Sequence, residues 1–249
     1  MAGAIVQSQV GEGAGAATTI ASGSLGSNVT SGNYLWVITN SDTADTVTIT
    51  KNSGTATIGS VTDQGSVTEA ATFEELTHFT IPITGTGSID LLATFGTSQA
   101  NRQIYVFEIS GVSGVDVTDE KTDTGNNPAP SPALSVSVST QPAFGLSIFI
   151  DVQGGTPTAG TGWTSAGVFG SAVHFARVQT KAITATGTLT ADFGNAGFDR
   201  NCCAMIVFTD NAGDFAGPFT SRASTQKPRR HRRPQSHGMT MEADVREWW

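Results

Sequence analysis

This chain is poor in cysteine, charge and tyrosine, and it has no long apolar run. Its only cysteines are the adjacent pair Cys202-Cys203. Neighbouring strand residues point to opposite faces, so a bridge between them would be badly strained. The pair also lacks the spacing of a zinc site or a redox motif. A disulfide framework is therefore excluded, and one buried and one outward thiol are expected. Charged residues make up only 14% of the chain. The helix-forming Leu, Glu, Lys and Arg are too scarce for long helices. No run approaches the roughly 20 apolar residues of a membrane-spanning helix. The start, MAGAIVQSQVGEGAGAATT, lacks both the basic opening and the apolar stretch of a signal peptide. Synthesis in a cytoplasm and no membrane partner are the corresponding expectations. There is no P-loop, no GxGxxG opening a helix, no HExxH and no GxSxG in a strand-to-helix setting.

What the chain has is Gly, Thr, Ser, Ala and Val, the mix of short strands and small-residue turns. It also has a duplication. Residues 86–107 read TGSIDLLATFGTSQANRQIYVF and residues 186–208 read TGTLTADFGNAGFDRNCCAMIVF. Phe95-Gly96 and Phe193-Gly194 are 98 residues apart, as are Asn101-Arg102 and Asp199-Arg200. His78-Phe79 and His174-Phe175 recur at 96. A repeated strand pattern points to a scaffold.

Clear strands are expected over 34–39, 46–50 and 55–58, the last two as a hairpin around Asn52-Ser53-Gly54. Others follow over 73–83, 89–95, 103–109, 134–138, 146–152, 173–178, 182–191 and 202–209. About a dozen strands with turns between them argue an all-β, antiparallel two-sheet sandwich, jelly-roll-like, built from two pseudo-repeats over 30–111 and 134–210. Residues 1–17 read as a flexible Gly-Ala arm, 18–212 as the sandwich, 112–133 as a proline-rich surface crossover and 213–249 as a basic, Trp-ended tail. The repeats either interleave in one sandwich or form one sandwich each. The single sandwich is the expected arrangement, because each half alone buries a smaller fraction of its surface.

Charge is unevenly placed. Residues 1–221 hold 18 acidic against 6 basic residues, and residues 222–249 hold 3 against 7. An acidic body repels nucleic acid, so no specific nucleic-acid partner is expected; the tail suits an acidic neighbour. Arg229, Arg230, Arg232, Arg233, Trp248 and Trp249 are its candidate assembly contacts, since a terminal Trp pair is costly to leave in water.

No catalytic constellation emerges. His78 and His174 stand at matching places in the two repeats, each beside a core Phe, and read as strand residues; His231 and His237 fall in the tail. Glu74, Glu75, Glu108 and Asp151 are the carboxylates from which a glycosidase pair could be drawn, but alternation turns half of such a set outward. Asp116, Asp119 and Asp123 are oxygen ligands of the kind calcium takes, without EF-hand spacing, so no cofactor is assigned. Trp163, among glycines in GTGWTSAG, either stacks on a sugar ring or closes the end of the sandwich.

The strands Asn33-Tyr34-Leu35-Trp36-Val37, Phe144-Gly145-Leu146-Ser147-Ile148-Phe149 and Tyr105-Val106-Phe107-Glu108-Ile109-Ser110-Gly111, with Asp116 beyond the last, and the Gly162-Trp163 turn resemble a diffuse group of tailed-phage virion proteins. That group has concanavalin-like or jelly-roll sandwiches, and the resemblance covers residues 30–210. It implies a non-enzymatic virion component on capsid or tail, a homo-oligomer (trimer favoured) among other virion proteins. The alternative is a carbohydrate-binding adhesion module that meets a host surface glycan through Trp163.

Overall fold

The computed structural model describes residues 2–69, 74–123, 133–151, 157–170, 174–194 and 201–211. The chain divides into Met1–Phe215 and Ala216–Trp249, and every described residue lies in the first unit. The fold is all-β and antiparallel, with sixteen strands and no helix among the described residues. The first repeat supplies β1 (Ala4–Ala21), β2 (Tyr34–Ser41), β3 (Val47–Ser53), β4 (Thr57–Ile58), β5 (Thr62–Thr68), β6 (Glu75–Gly85) and β7 (Asp90–Ser110). The second supplies β8 (Val112–Asp123), β9 (Leu134–Val138), β10 (Ala143–Asp151), β11 (Thr158–Ala159), β12 (Thr164–Phe169), β13 (Phe175–Ile183), β14 (Gly187–Ala191), β15 (Phe193–Gly194) and β16 (Asn201–Asp210).

The two repeats do not interleave. One large sheet runs β1-β7-β2-β6-β5 and is entirely first repeat; the other runs β8-β16-β10-β13-β12 and is entirely second. The strand order is the same in both. Their inner faces form one central core, with Trp36, Ile38, Tyr105 and Phe107 against Leu146, Ile148, Ile206 and Phe208. Each sheet also has a buried outer face. Leu35, Val37, Ile104 and Val106 pack in a core of the first repeat alone. Phe149, Cys203, Met205 and Val207 do the same in the second. The architecture is thus a two-sheet sandwich, one sheet per repeat, with each sheet backed by a further layer of its own chain.

This explains the sequence pattern. β2, β10 and β16 are buried on both faces, so they read as continuous apolar runs. β9 faces solvent on one side, so Leu134, Val136 and Val138 alternate with exposed serines. Cys202 lies in the central core and Cys203 in the outer one. They point oppositely, yet both are buried, because the expected solvent face is covered. Burial pushes the Cys202 thiol well above its ordinary range, with nearby Glu74 adding to this.

The backing layer of the first repeat comes from a bend. β1 pairs β7 from Ala4 opposite Ser110 to Ala14 opposite Asn101, then shifts register twice, through Ala17 opposite Gln99, to Thr19 opposite Thr94. Past the bend the ribbon doubles back, and β7 pairs β3, with Val47 opposite Phe95. The doubling is tight: a Cβ added to Gly11 would lie 2.0 Å from the carbonyl oxygen of Ala21. The stretches expected as separate strands at 89–95 and 103–109 are therefore one 21-residue strand. In the second repeat the same job is done by shorter strands, β9 with β14 and β11 with β15.

Three expectations need correction. Residues 4–17 are not an arm: they form most of β1, held by the open ladder edge of β7. Residues 112–123 are not a loop but β8, paired with β16; 124–132 lie outside the described residues. β3 and β4 do not pair as a hairpin, because β3 joins β7 and β4 joins β6. Gly54 between them has φ +104°, and an added Cβ would sit 2.2 Å from the Ser88 carbonyl oxygen. Pro82 needs no ladder donor, since the second neighbour of β6 changes from β5, ending at Thr80, to β4, starting at Ile83.

Candidate functional site

The densest set of chemically capable side chains lies where the sheets meet, around His174. This residue precedes β13 and is 2% exposed. Its Nδ1 lies 2.9 Å from Glu74 Oε1 and in a short contact with Asn40 Oδ1 of β2. The Asn40 oxygen can only accept, which places the ring proton on Nδ1. The Glu74 carboxylate is 2% exposed and accepts no hydrogen bond of good geometry; it lies beside the ring. Gln103 Nε2 donates to the His174 carbonyl at 3.1 Å and to Glu12 Oε1 at 2.8 Å. The Tyr105 hydroxyl donates to Gln103 Oε1 at 2.6 Å. Burial, with Glu12 and Glu74 nearby, holds that phenol well above its ordinary range. The Cys202 thiol donates to the Glu74 carbonyl at 3.8 Å, not to the histidine.

This cluster ties a loop of the second repeat to β1, β2 and β7 of the first. Asn40, Glu74, Gln103, Tyr105 and His174 are buried and Glu12 is half-buried, and neither of the two clefts described below reaches them. It ties the two sheets together and places no nucleophile in either cleft.

His78 works differently. It lies within β6 opposite Ile38, fully buried, whereas His174 stands before β13. The matched spacing does not put the two in equivalent places. Trp36 Nε1 donates to His78 Nδ1 at 3.1 Å, so the ring proton is on Nε2, 3.9 Å from Glu120 Oε2 of β8.

The carboxylates once set aside for a hydrolytic pair are dispersed in structural roles. Glu108 is fully buried and accepts from Gln7 Nε2 at 2.6 Å, Asn33 Nδ2 at 2.7 Å and the Thr30 amide at 2.8 Å. Glu75 accepts from the Asp45 amide at 2.6 Å, and burial raises its pKa above the ordinary range. Asp151 is fully buried in β10. Arg102, from the repeated Asn-Arg pair, donates to the carbonyls of Thr19 at 2.7 Å and Gly15 at 2.6 Å, stitching the bend of β1. Asp199 and Arg200 lie outside the described residues.

The calcium candidates hold β9 against β8. Asp116 accepts from the amides of Ser139 at 2.9 Å and Thr140 at 3.2 Å. Partial burial pushes its carboxyl up, but the bonds from Ser139 and Thr140 outweigh this and hold it below the usual range. Asp119 accepts from the Ser135 amide at 2.7 Å and pairs with Lys121 at 3.4 Å. Asp123 ends β8 opposite Asn201. No metal-binding group of His, Cys, Asp or Glu occurs among the described residues.

Trp163 is core. It is 7% exposed, packs with Phe149, Ile183 and Leu189, and donates its indole N–H to the Thr190 carbonyl at 2.9 Å. Its ring lies on Gly145 of β10, where an added Cβ would be 3.2 Å away. The turn at Gly162, φ +76°, directs the side chain inward. A sugar ring cannot stack on a buried indole; Trp163 packs in the outer core of the second repeat. Arg229, Arg230, Arg232, Arg233, Trp248 and Trp249 lie outside the described residues.

Two clefts are open to solvent. A cavity of about 490 Å³ is lined by Gly3, Ala4, Ile5 and Ser8 of the first repeat and Phe144, Ala166, Phe169 and Thr180 of the second. A second, of about 260 Å³, lies over the β13–β14 turn beside Lys181 and Val138. Neither is lined by a carboxylate or a histidine.

Fold and site together define a duplicated antiparallel sandwich whose buried polar side chains brace one strand against another. The chain has no match among family models, curated proteins or solved structures.

Proposed function

We propose that this chain is a non-enzymatic structural protein of a tailed-phage virion, displayed on capsid or tail and assembled from copies of itself with other virion proteins. One observation carries the reading. Across the described residues, the groups of catalytic type (Glu74, Glu75, Glu108, His78, His174) brace strands and loops from buried positions, and the described clefts contain none of them. The strand and turn patterns resembling virion sandwiches supply the setting, and the basic Arg229–Arg233 run with Trp248 and Trp249 remains the proposed contact with neighbours. The glycan-binding alternative loses the residue that carried it, since Trp163 is part of the core. The test is an antibody raised against the recombinant chain and applied to purified phage particles from the source culture. Regular labelling of particles in electron micrographs is the expected result. Protein confined to the particle-free fraction would overturn the proposal.

A further inference from the structure

Residues of β1 and β12 line one cleft between the sheets, and β5 lies beside β8. Since β1 and β8 are the same strand of the repeat, as are β5 and β12, these are the two equivalent seams of a pseudo-twofold. Equivalent seams should look alike, and they do not. The β5/β8 seam is shut. Thr118 Oγ1 donates to the Gln64 carbonyl at 3.3 Å, and His78 faces Glu120 at 3.9 Å. Gly65 is so close that an added Cβ would lie 1.6 Å from Glu120 Oε1. The β1/β12 seam holds the cavity of about 490 Å³. The exposed large hydrophobics among the described residues are Val6 at 51% and Val168 at 43%, one on each strand of this open seam.

Charge separates the seams in the same way. β8 carries Asp116, Asp119, Glu120, Lys121 and Asp123, and β5 carries Asp63. Such charges guard a sheet edge against other chains. Residues 4–11 of β1 and the whole of β12 carry none. Each of these strands has one hydrogen-bonded neighbour among the described strands. The cavity floor continues the central core: Phe144 belongs to it, and Ile5 and Phe169 pack on it. An apolar side chain placed there would extend an interface that already exists.

We propose that the β1/β12 seam is a self-association surface, at which a second copy of this chain covers Val6 and Val168 and fills the cleft over Ile5, Phe144 and Phe169. The partner is a second copy because of the charge. A body with 18 acidic and 6 basic residues over 1–221 repels its own kind, and this carboxylate-free strip, with Arg177 opposite Val168 beside it, lets two copies meet without opposing carboxylates. Both strands are bulged here, at Val6 between Ile5 and Gln7 and at Ala166 between Ser165 and Gly167. The contact is therefore made by side chains in the cleft rather than by extension of a flat ladder. The inference deepens the reading of the chain as an assembly component and rests on it.

Sedimentation velocity over a concentration series tests it, on the full chain and on the double variant V6D/V168D, with T50D on exposed β3 as the control for added charge. The wild type and T50D should associate with the same dissociation constant. V6D/V168D should be at least about tenfold weaker, since the carboxylate at position 6 would be buried in the interface without a partner. Its circular dichroism and Tm should match wild type, because both side chains are exposed. A wild type that stays monomeric at its highest soluble concentration would overturn the inference, as would a double variant that associates normally or a T50D that dissociates equally. Association through another surface sinks this seam and leaves the virion reading intact. A seam-dependent oligomer missing from phage particles does the reverse.

Discussion

Replacing Trp163 by alanine distinguishes a core residue from a surface platform. Burial of an indole removes about 150–250 Å² from water, worth at most about 4–6 kcal/mol at roughly 25 cal/mol/Å². Large aromatic-to-alanine changes in cores cost about 3–5 kcal/mol, because the cavity closes only in part. Here collapse is hindered by β10 below, where the ring rests on Gly145, and by Phe149, Ile183 and Leu189 around it. The lost bond to Thr190 adds little, about 0.5–1.5 kcal/mol, because Thr190 is exposed and its carbonyl turns to water. Lys181, 5.7 Å from the ring centroid, loses a contact worth about 0.5 kcal/mol. The expected cost of W163A is about 4–5 kcal/mol, a fall of about 8–20 °C in Tm for a chain of this size. W163F keeps most of the packing and should lose about 1–2 kcal/mol. Urea unfolding followed by circular dichroism, with a calorimetric Tm, reads both. A cost below about 1 kcal/mol for W163A would refute the core assignment.

Two further predictions concern carboxylates that accept backbone and side-chain donors. E108A leaves donors from Gln7, Thr30 and Asn33 without their acceptor and should cost about 3 kcal/mol, with E108Q at about 1–3 kcal/mol because its amide faces a donor; wild-type stability in E108A would show that this contact does not hold β1 down. Asp116 has a folded-state pKa below its unfolded one, so its contribution is present above the ordinary carboxylate range and is lost as pH falls through the lowered folded value. The Tm difference between wild type and D116N should therefore be largest near neutrality and shrink as pH drops to about 3; a difference that stays constant over that range contradicts the assigned hydrogen bonds.

Several features of this protein follow from its sequence alone. Alternation marks β9, and continuous apolar runs mark β2, β10 and β16, because side-chain direction along a strand has a fixed period of two. The opposed faces of Cys202 and Cys203 and the exclusion of a disulfide come from the same rule. The repeat of Phe95 and Phe193 is also real in space, since each fills the outer core of its own half. Such features are local, and local stereochemistry is enough to read them.

Tertiary structure decided the rest. The first strand of each repeat was hidden, because β1 is small and Gly-rich and β8 is polar; each becomes a strand by completing the ladder of β7 or β16. Both cysteines are buried because each sheet is backed by a second layer. Trp163 faces inward because its turn and Gly145 leave it room there. The polar cluster joins Glu12, Asn40, Glu74, Gln103 and His174, which are scattered over more than 160 positions, and no spacing along the chain encodes their meeting. Whether a charged or apolar strand guards an edge also depends on the partner opposite, and that is settled only when two sheets of nearly the same design are stacked.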